Sequence, residues 1–226
     1  MVLKRTENSF LSIAKSCVSL QCRNVCGKTL KQTDIMNYKD VINHYPDFPK
    51  PGIDFIDIIP FMSNKEAYNQ LVADLDANVH SPNVITVEAR GFLFAAPLLT
   101  QSKLVQNIVP IRKKGKLPFA KGDLRDVQIM KEYGPDHVFY RLSDIAAGKP
   151  EGDTFYLSFF DDILATGGTA AGIAESLNRE RIVLDGKEYK VKVREFIFIV
   201  EFPDLYDHAR LEAIAPIKSF VKIEGD

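Results

Sequence analysis

The chain has 226 residues, a formal charge of −1, and 46% hydrophobic against 26% charged residues, which suits one domain with a sizeable buried core. The near-zero charge argues against a general nucleic-acid or membrane surface, and no apolar run approaches the roughly 20 residues that span a bilayer. Three cysteines, Cys17, Cys22 and Cys26, lie near the start of the sequence; they form no disulfide framework and point to a reducing, cytoplasmic compartment, and zinc would need a fourth ligand that the spacing does not supply.

In chain order, residues 1–33 are set apart by six Lys and Arg side chains against the single acid Glu7. They read as a variable N-terminal extension with a faint likeness to a transit peptide. The remaining residues, 34–226, read as one domain. Asp34 is placed to cap a short helix through His44, and Tyr45–Gly52, with three prolines, must be irregular. Asn64–Asn78 has helical spacing through Ala67, Leu71 and Leu75. Asn83–Val87 reads as a buried strand, Gly91–Gln101 as a helix and Asn107–Ile111 as a second strand. Thr154–Phe160 is a third strand, Thr169–Arg179 a helix, Val193–Val200 a central strand and Ser219–Ile223 a last one. Apolar runs separated by helices predict an α/β fold with a mostly parallel sheet covered on both faces. In such sheets ligands bind at the carboxyl ends of the strands.

The strongest site signal is the run from Phe155 to Thr169, where a buried strand ends in Asp161 and Asp162 and a loop of Ala165, Thr166, Gly167, Gly168 and Thr169 opens a helix. Glycines let the backbone approach a ligand, the threonines add hydroxyl donors, and the free N–H groups and dipole of a helix start favour a phosphate. Adjacent carboxylates can accept from sugar hydroxyls and keep a hydrated Mg²⁺ nearby. Gly-Lys-Ser/Thr is absent, so this is not a Walker loop. His44, His80, His137 and His208 are scattered without metal-ligand spacing and receive no catalytic part.

This run resembles the phosphoribosyl pyrophosphate (PRPP) signature of the type I phosphoribosyltransferase family. The resemblance implies that Asp161 and Asp162 bind the ribose hydroxyls and that Ala165–Thr169 wrap the 5′-phosphate. Asp162 stands where uracil enzymes carry proline, and Ala165 where hypoxanthine-guanine enzymes usually place aspartate. Further segments are similar to the adenine branch over about residues 38–224. Phe55, in Ile53-Asp54-Phe55-Ile56-Asp57-Ile58, matches the aromatic that stacks on adenine, with backbone groups around Ile56 reading the base edge. Phe202, after Glu201, matches the opposite wall. Glu88-Ala89-Arg90-Gly91 matches the pyrophosphate loop, with Arg90 on PRPP oxygens, and Arg112, Lys113 and Lys116 add cations at the next strand end. Arg112 is expected to reach into a partner's site. Glu132, in Glu132-Tyr133-Gly134, matches the acid–base group near adenine N7.

The implied fold is a central sheet with a small hood and a mobile loop, about Leu117–Lys131, that closes over the site. The implied reaction joins adenine to PRPP with Mg²⁺ and gives AMP and pyrophosphate, in a homodimer, with no nucleic-acid or membrane partner. Two departures stand out. Ile56 replaces a usual arginine, and the stretch between Lys116 and Glu132 is a few residues longer than usual. Another purine as substrate, or a catalytically poor PRPP-binding regulator, remain the alternatives.

Overall fold

The computed structural model describes residues 36–131 and 134–224. The extension with its three cysteines, the expected cap Asp34, and the Glu132–Tyr133 pair lie outside the described residues. Tyr38–Val41 forms one 3-10 turn, and Asn43–Tyr45 (β1) then pairs antiparallel with Phe55–Asp57 (β2). The helix expected through His44 is therefore replaced by a strand. Pro46 drives Tyr45 to extended backbone, and His44 Nδ1 lies 2.7 Å from Asp54 Oδ2 across the pair. The proline-rich loop between the two strands is irregular as expected. It is closed by Phe48 N–H to Ile53 O at 3.1 Å and Gly52 N–H to Asp47 Oδ1 at 2.7 Å.

Lys65–Asn78 (α1) starts where Asn64 accepts from Ala67 N at 3.1 Å, and it buries Ala67, Leu71, Val72 and Leu75. Asn83–Val87 (β3) is buried at every residue. The single helix expected over 91–101 is two short ones, Arg90–Ala95 (α2) and Leu98–Gln101 (α3), divided at Pro97, which has no N–H to carry the ladder through. Asn107–Lys113 (β4) runs parallel to β3. Leu124–Lys131 (β5) and Gly134–Arg141 (β6) form an antiparallel hairpin, with β6 paired to the end of β4. The covering loop expected over 117–131 is thus loop only to Asp123. Val127 and Ile129 face inward and are buried, while Gln128 between them is exposed, the period of a half-buried strand.

After Leu142–Ala146 (α4) comes Thr154–Leu164 (β7), which is longer than expected and carries Asp161 and Asp162 within it. Gly168–Arg179 (α5) follows and buries Ala170, Ile173, Ala174 and Leu177. Arg181–Leu184 (β8) turns at Asp185-Gly186, both with positive φ, into Lys187–Glu201 (β9). His208–Glu212 (α6) and Ile217–Lys222 (β10) complete the fold.

The eight-stranded sheet has the order β10-β9-β7-β3-β4-β6-β5, with β8 paired to β9. Its centre is parallel, from β10 through β9, β7 and β3 to β4, and the antiparallel pairs lie outside it. The Val193–Val200 run lies inside β9, second from the edge rather than at the centre. Phe155, Phe159, Phe196 and Phe198 are among the side chains of the core against which α5 packs. Each such ring contributes about 1.5–3 kcal/mol by leaving water. From β3 the chain steps to β4 on one side, then returns to β7 on the other. The crevice outside the carboxyl ends of β3 and β7 is thus a topological switch point, the place such sheets bind ligands.

Candidate active site

Four parallel strands end on this edge, and each delivers a segment singled out from the sequence. Val87 pairs with Ile111, Thr86 with Phe160, and Leu164 with Glu201. Residues 88–91, 112–116, 161–169 and 202 therefore emerge together.

Arg90 follows β3 and reaches across the switch point to β7, where its Nε lies 2.5 Å from Asp162 Oδ2. The angle is not that of a hydrogen bond, so the contact is a charge pair. The Arg90 guanidinium also stands 5.9 Å from the Phe55 ring centroid, within reach of a weak cation–π attraction. Phe48 packs edge-on against Phe55 at 5.2 Å. Phe55, Arg90 and Asp162, far apart in sequence, thus form one string. Asp161 Oδ1 accepts from Asp162 N at 2.9 Å. Burial first, then the adjacent Asp162 charge, push the Asp161 carboxyl well above the usual carboxylate range. Gly91 is required beneath this string, because a Cβ there would stand 2.5 Å from Thr86 Oγ1 and 3.3 Å from Asp161 Oδ1.

Beyond Leu164 the chain enters the loop that begins α5. Gly167 has φ +73°, and a Cβ on it would meet Leu211 Cδ1 at 2.9 Å and Tyr206 Cβ at 3.3 Å, so glycine is set here by both conformation and space. No side chain caps the helix and no acid lies in its first turn. Its first bond is Ala171 N–H to Gly167 O at 2.9 Å. The N–H groups of Gly168, Thr169 and Ala170 precede that bond and have no partner within the helix, the usual state of a helix start and one that suits a phosphate. A small recess lined by Asp161, Ala165, Thr166, Gly167 and Thr169 lies beside them.

The cations at and just beyond the end of β4 are organised by Glu88, to which the sequence alone gives no role. Its buried carboxylate accepts from Arg112 Nε at 2.8 Å and from Lys113 N at 2.7 Å, with Lys116 Nζ at 3.5 Å. Burial opposes the charge, but these donors prevail and hold Glu88 below its ordinary pKa. Arg112, expected to reach a partner's site, is here bound within its own chain, and the Lys113 side chain is exposed. An acid directly before an arginine-bearing loop, facing a cation-rich strand end, was the available signal.

Phe202 is half-buried and tied to this edge by its N–H to Leu164 O at 2.9 Å. Ile56 is 3% exposed, so its side chain belongs to the core rather than to a ligand. Among the described residues, no group of three or more His, Cys, Asp or Glu side chains converges as a metal cage, and no helix is long and apolar enough to cross a membrane.

No family model matches the chain. It is 34% identical over 192 residues to the adenine phosphoribosyltransferase of Brucella suis, an alignment covering 83% of this chain and 95% of that protein. Among solved structures it is similar to the adenine phosphoribosyltransferase of Thermoanaerobacter pseudethanolicus, with 32% identity, a TM-score of 0.65, and coverage of 82% of this chain and 97% of that one. It is also similar to the Saccharomyces cerevisiae enzyme complexed with an imino-altritol bisphosphate and adenine, with 28% identity, a TM-score of 0.63, and coverage of 80% and 95%.

Proposed function

Because the chain belongs to the adenine phosphoribosyltransferase family, we propose that the β3–β7 switch point is its active site and that the residues gathered there divide the reaction among them. The reaction transfers the 5-phosphoribosyl group of PRPP to adenine, giving AMP and pyrophosphate. The observation that carries the assignment of roles is the Phe55–Arg90–Asp162 string beside the uncapped start of α5.

The 5′-phosphate sits on the N–H groups at the start of α5, with the hydroxyls of Thr166 and Thr169 and the backbone of Ala165–Gly168 around it. The ribose hydroxyls donate to Asp161 and Asp162. Pyrophosphate is the multiply charged leaving group. Arg90 meets it by exchanging its contact with Asp162 for phosphate oxygens, while Arg112, Lys113 and Lys116 add positive charge at the neighbouring strand end. Adenine lies between Phe55 and Phe202, two apolar walls suited to a flat neutral base, and the backbone near Ile56 reads its edge. Closure of the segment after Lys116 excludes water from the activated sugar. N9 attacks C1 as the pyrophosphate bond loosens, and Glu132 balances the proton at N7.

The donor set suits Mg²⁺ of the kind that takes one or two carboxylates together with substrate phosphates. PRPP itself would mainly hold it, with Asp161 and Asp162 nearby, and the ion would neutralise and orient the pyrophosphate. We take the working unit to be a cytoplasmic homodimer, as the resemblance implies.

The test is incubation of the protein with PRPP, Mg²⁺ and each of adenine, hypoxanthine, guanine and xanthine, following pyrophosphate release. AMP from adenine alone supports the reading. Turnover of another base moves the substrate, and PRPP binding without turnover makes the chain a regulator.

A further inference from the structure

Glu201 is 2% exposed, the least exposed carboxylate among the described residues. It ends β9 in register with Leu164 on one side and Lys222 on the other. Its carboxylate accepts from Lys222 Nζ at 2.7 Å and from the Tyr206 hydroxyl at 2.9 Å. Burial opposes the charge, but these donors hold the Glu201 carboxyl below the usual range. Burial and the Glu201 charge push the Tyr206 phenol up, which keeps it a donor. A buried, ionised carboxylate is costly unless fully paired. Lys222 balances this one, and Tyr206 connects it to the site by two paths.

The first path leads to the base wall. Glu201 to Tyr206 encloses a short turn, closed inside by Leu205 N–H to Phe202 O at 3.0 Å and across its ends by the Glu201–Tyr206 bond. Phe202 is the first residue of that turn. The second path leads to the phosphate loop. Tyr206 Cβ is 3.3 Å from the place a Cβ on Gly167 would take, so Tyr206 forms part of the floor on which the loop rests. His208 steadies it from the far side, with its ring centroid 4.0 Å from that of Tyr206 and its Nε2 2.8 Å from Pro203 O.

We infer that Glu201 is a positioning residue which, through Tyr206, sets the distance between the base wall at Phe202 and the phosphate loop at Gly167. The inference rests on the adenine reading of the site. A ligand that occupies both places at once depends on their separation, whereas a fragment that occupies one does not.

The experiment compares binding of AMP, adenine and ribose 5-phosphate to the full chain, to Tyr206→Phe and to Glu201→Gln, with a thermal melt of each. The expected result for Tyr206→Phe is a loss of about tenfold or more in AMP affinity, with each fragment weakened by less than about twofold. Tyr206→Phe keeps the Cβ beside Gly167 and removes only the hydroxyl that meets Glu201, so it carries the test even if Glu201→Gln fails to fold. Equal losses for AMP and the fragments, or an unchanged AMP affinity, would overturn the inference. Failure of the unaltered chain to bind AMP would instead overturn the adenine reading on which the inference stands.

Discussion

Gly91→Ala tests whether the switch point depends on close approach of the loop after β3 to the sheet. The new methyl would stand 2.5 Å from Thr86 Oγ1, whereas real Cβ atoms keep at least 3.0 Å, so something must move by 0.5 Å or more (3.0 less 2.5). Thr86 is fully buried in β3 and its hydroxyl has no hydrogen-bond partner, so it has little room to yield and no bond to guide it. Overpacking of this kind costs about 1–3 kcal/mol, or roughly 2–12 °C in melting temperature for a domain of this size. The activity should fall further than the stability, because the displaced segment carries Arg90 and presses on Asp161. A misplacement approaching 1 Å costs up to about 10²-fold in rate. The assay is a melt together with kcat/KM for PRPP, on Gly91→Ala alone and combined with Thr86→Ala, which removes the clashing oxygen. The double variant should recover most of both losses. An unchanged single variant, or a double variant no better than the single one, would refute the packing argument.

Further outcomes follow from the charges. Asp161 has a raised pKa when folded, so the folded state keeps its proton where the unfolded chain has lost it, and stability falls as pH rises through that window. Asp161→Asn should therefore melt higher than the wild type at pH 8 and level with it at pH 4 or below, while binding PRPP less well; a pH-independent difference would contradict this. Glu88 has the opposite sign, and its contribution is present above the ordinary value of 4.5 and lost as pH falls through the lowered folded value. Glu88→Gln should cost about 1–3 kcal/mol at pH 7 and progressively less in acid, which a melt series at several pH values reads directly. Glu132→Gln should lower kcat far more than it weakens PRPP binding, and an unchanged kcat would remove Glu132 from the mechanism.

The parts of the fold that announce themselves in the sequence are those whose residue types have a single use. The apolar strand running into Asp161, Asp162 and two glycines, and the five buried residues of β3, admit one reading each. The hairpin of β5 and β6 is harder to see, because Lys, Gly and Pro before it suggest a loop and in β5 only Val127 and Ile129 carry its alternation. The Asp185-Gly186 pair between Leu184 and Lys187 is a strong hairpin signal, yet the charged residues from Lys187 to Lys192 hid the first half of β9. At the site, the sequence named Arg90, Asp162 and Phe55 but not their contact, since three segments meet there only through the strand order. Glu88 and Glu201 were hidden for a related reason. Their partners come from other strands, turns and strand ends, and no spacing along one segment reveals them.

In the proposed assignment the start of α5 holds the phosphate with main-chain groups, and the base walls come from elsewhere, the β1–β2 hairpin and the turn after β9. Backbone donors persist whatever side chains drift around them, provided Gly167 keeps its conformation. The grip on the sugar phosphate and the reading of the base edge by the β1–β2 hairpin can therefore change independently, while the wall on the turn after β9 stays tied to the loop through Tyr206. Grafting a different 45–58 segment should alter which base is accepted while leaving the phosphate handle intact, a division of labour that allows one scaffold to acquire new specificities without first losing its common substrate.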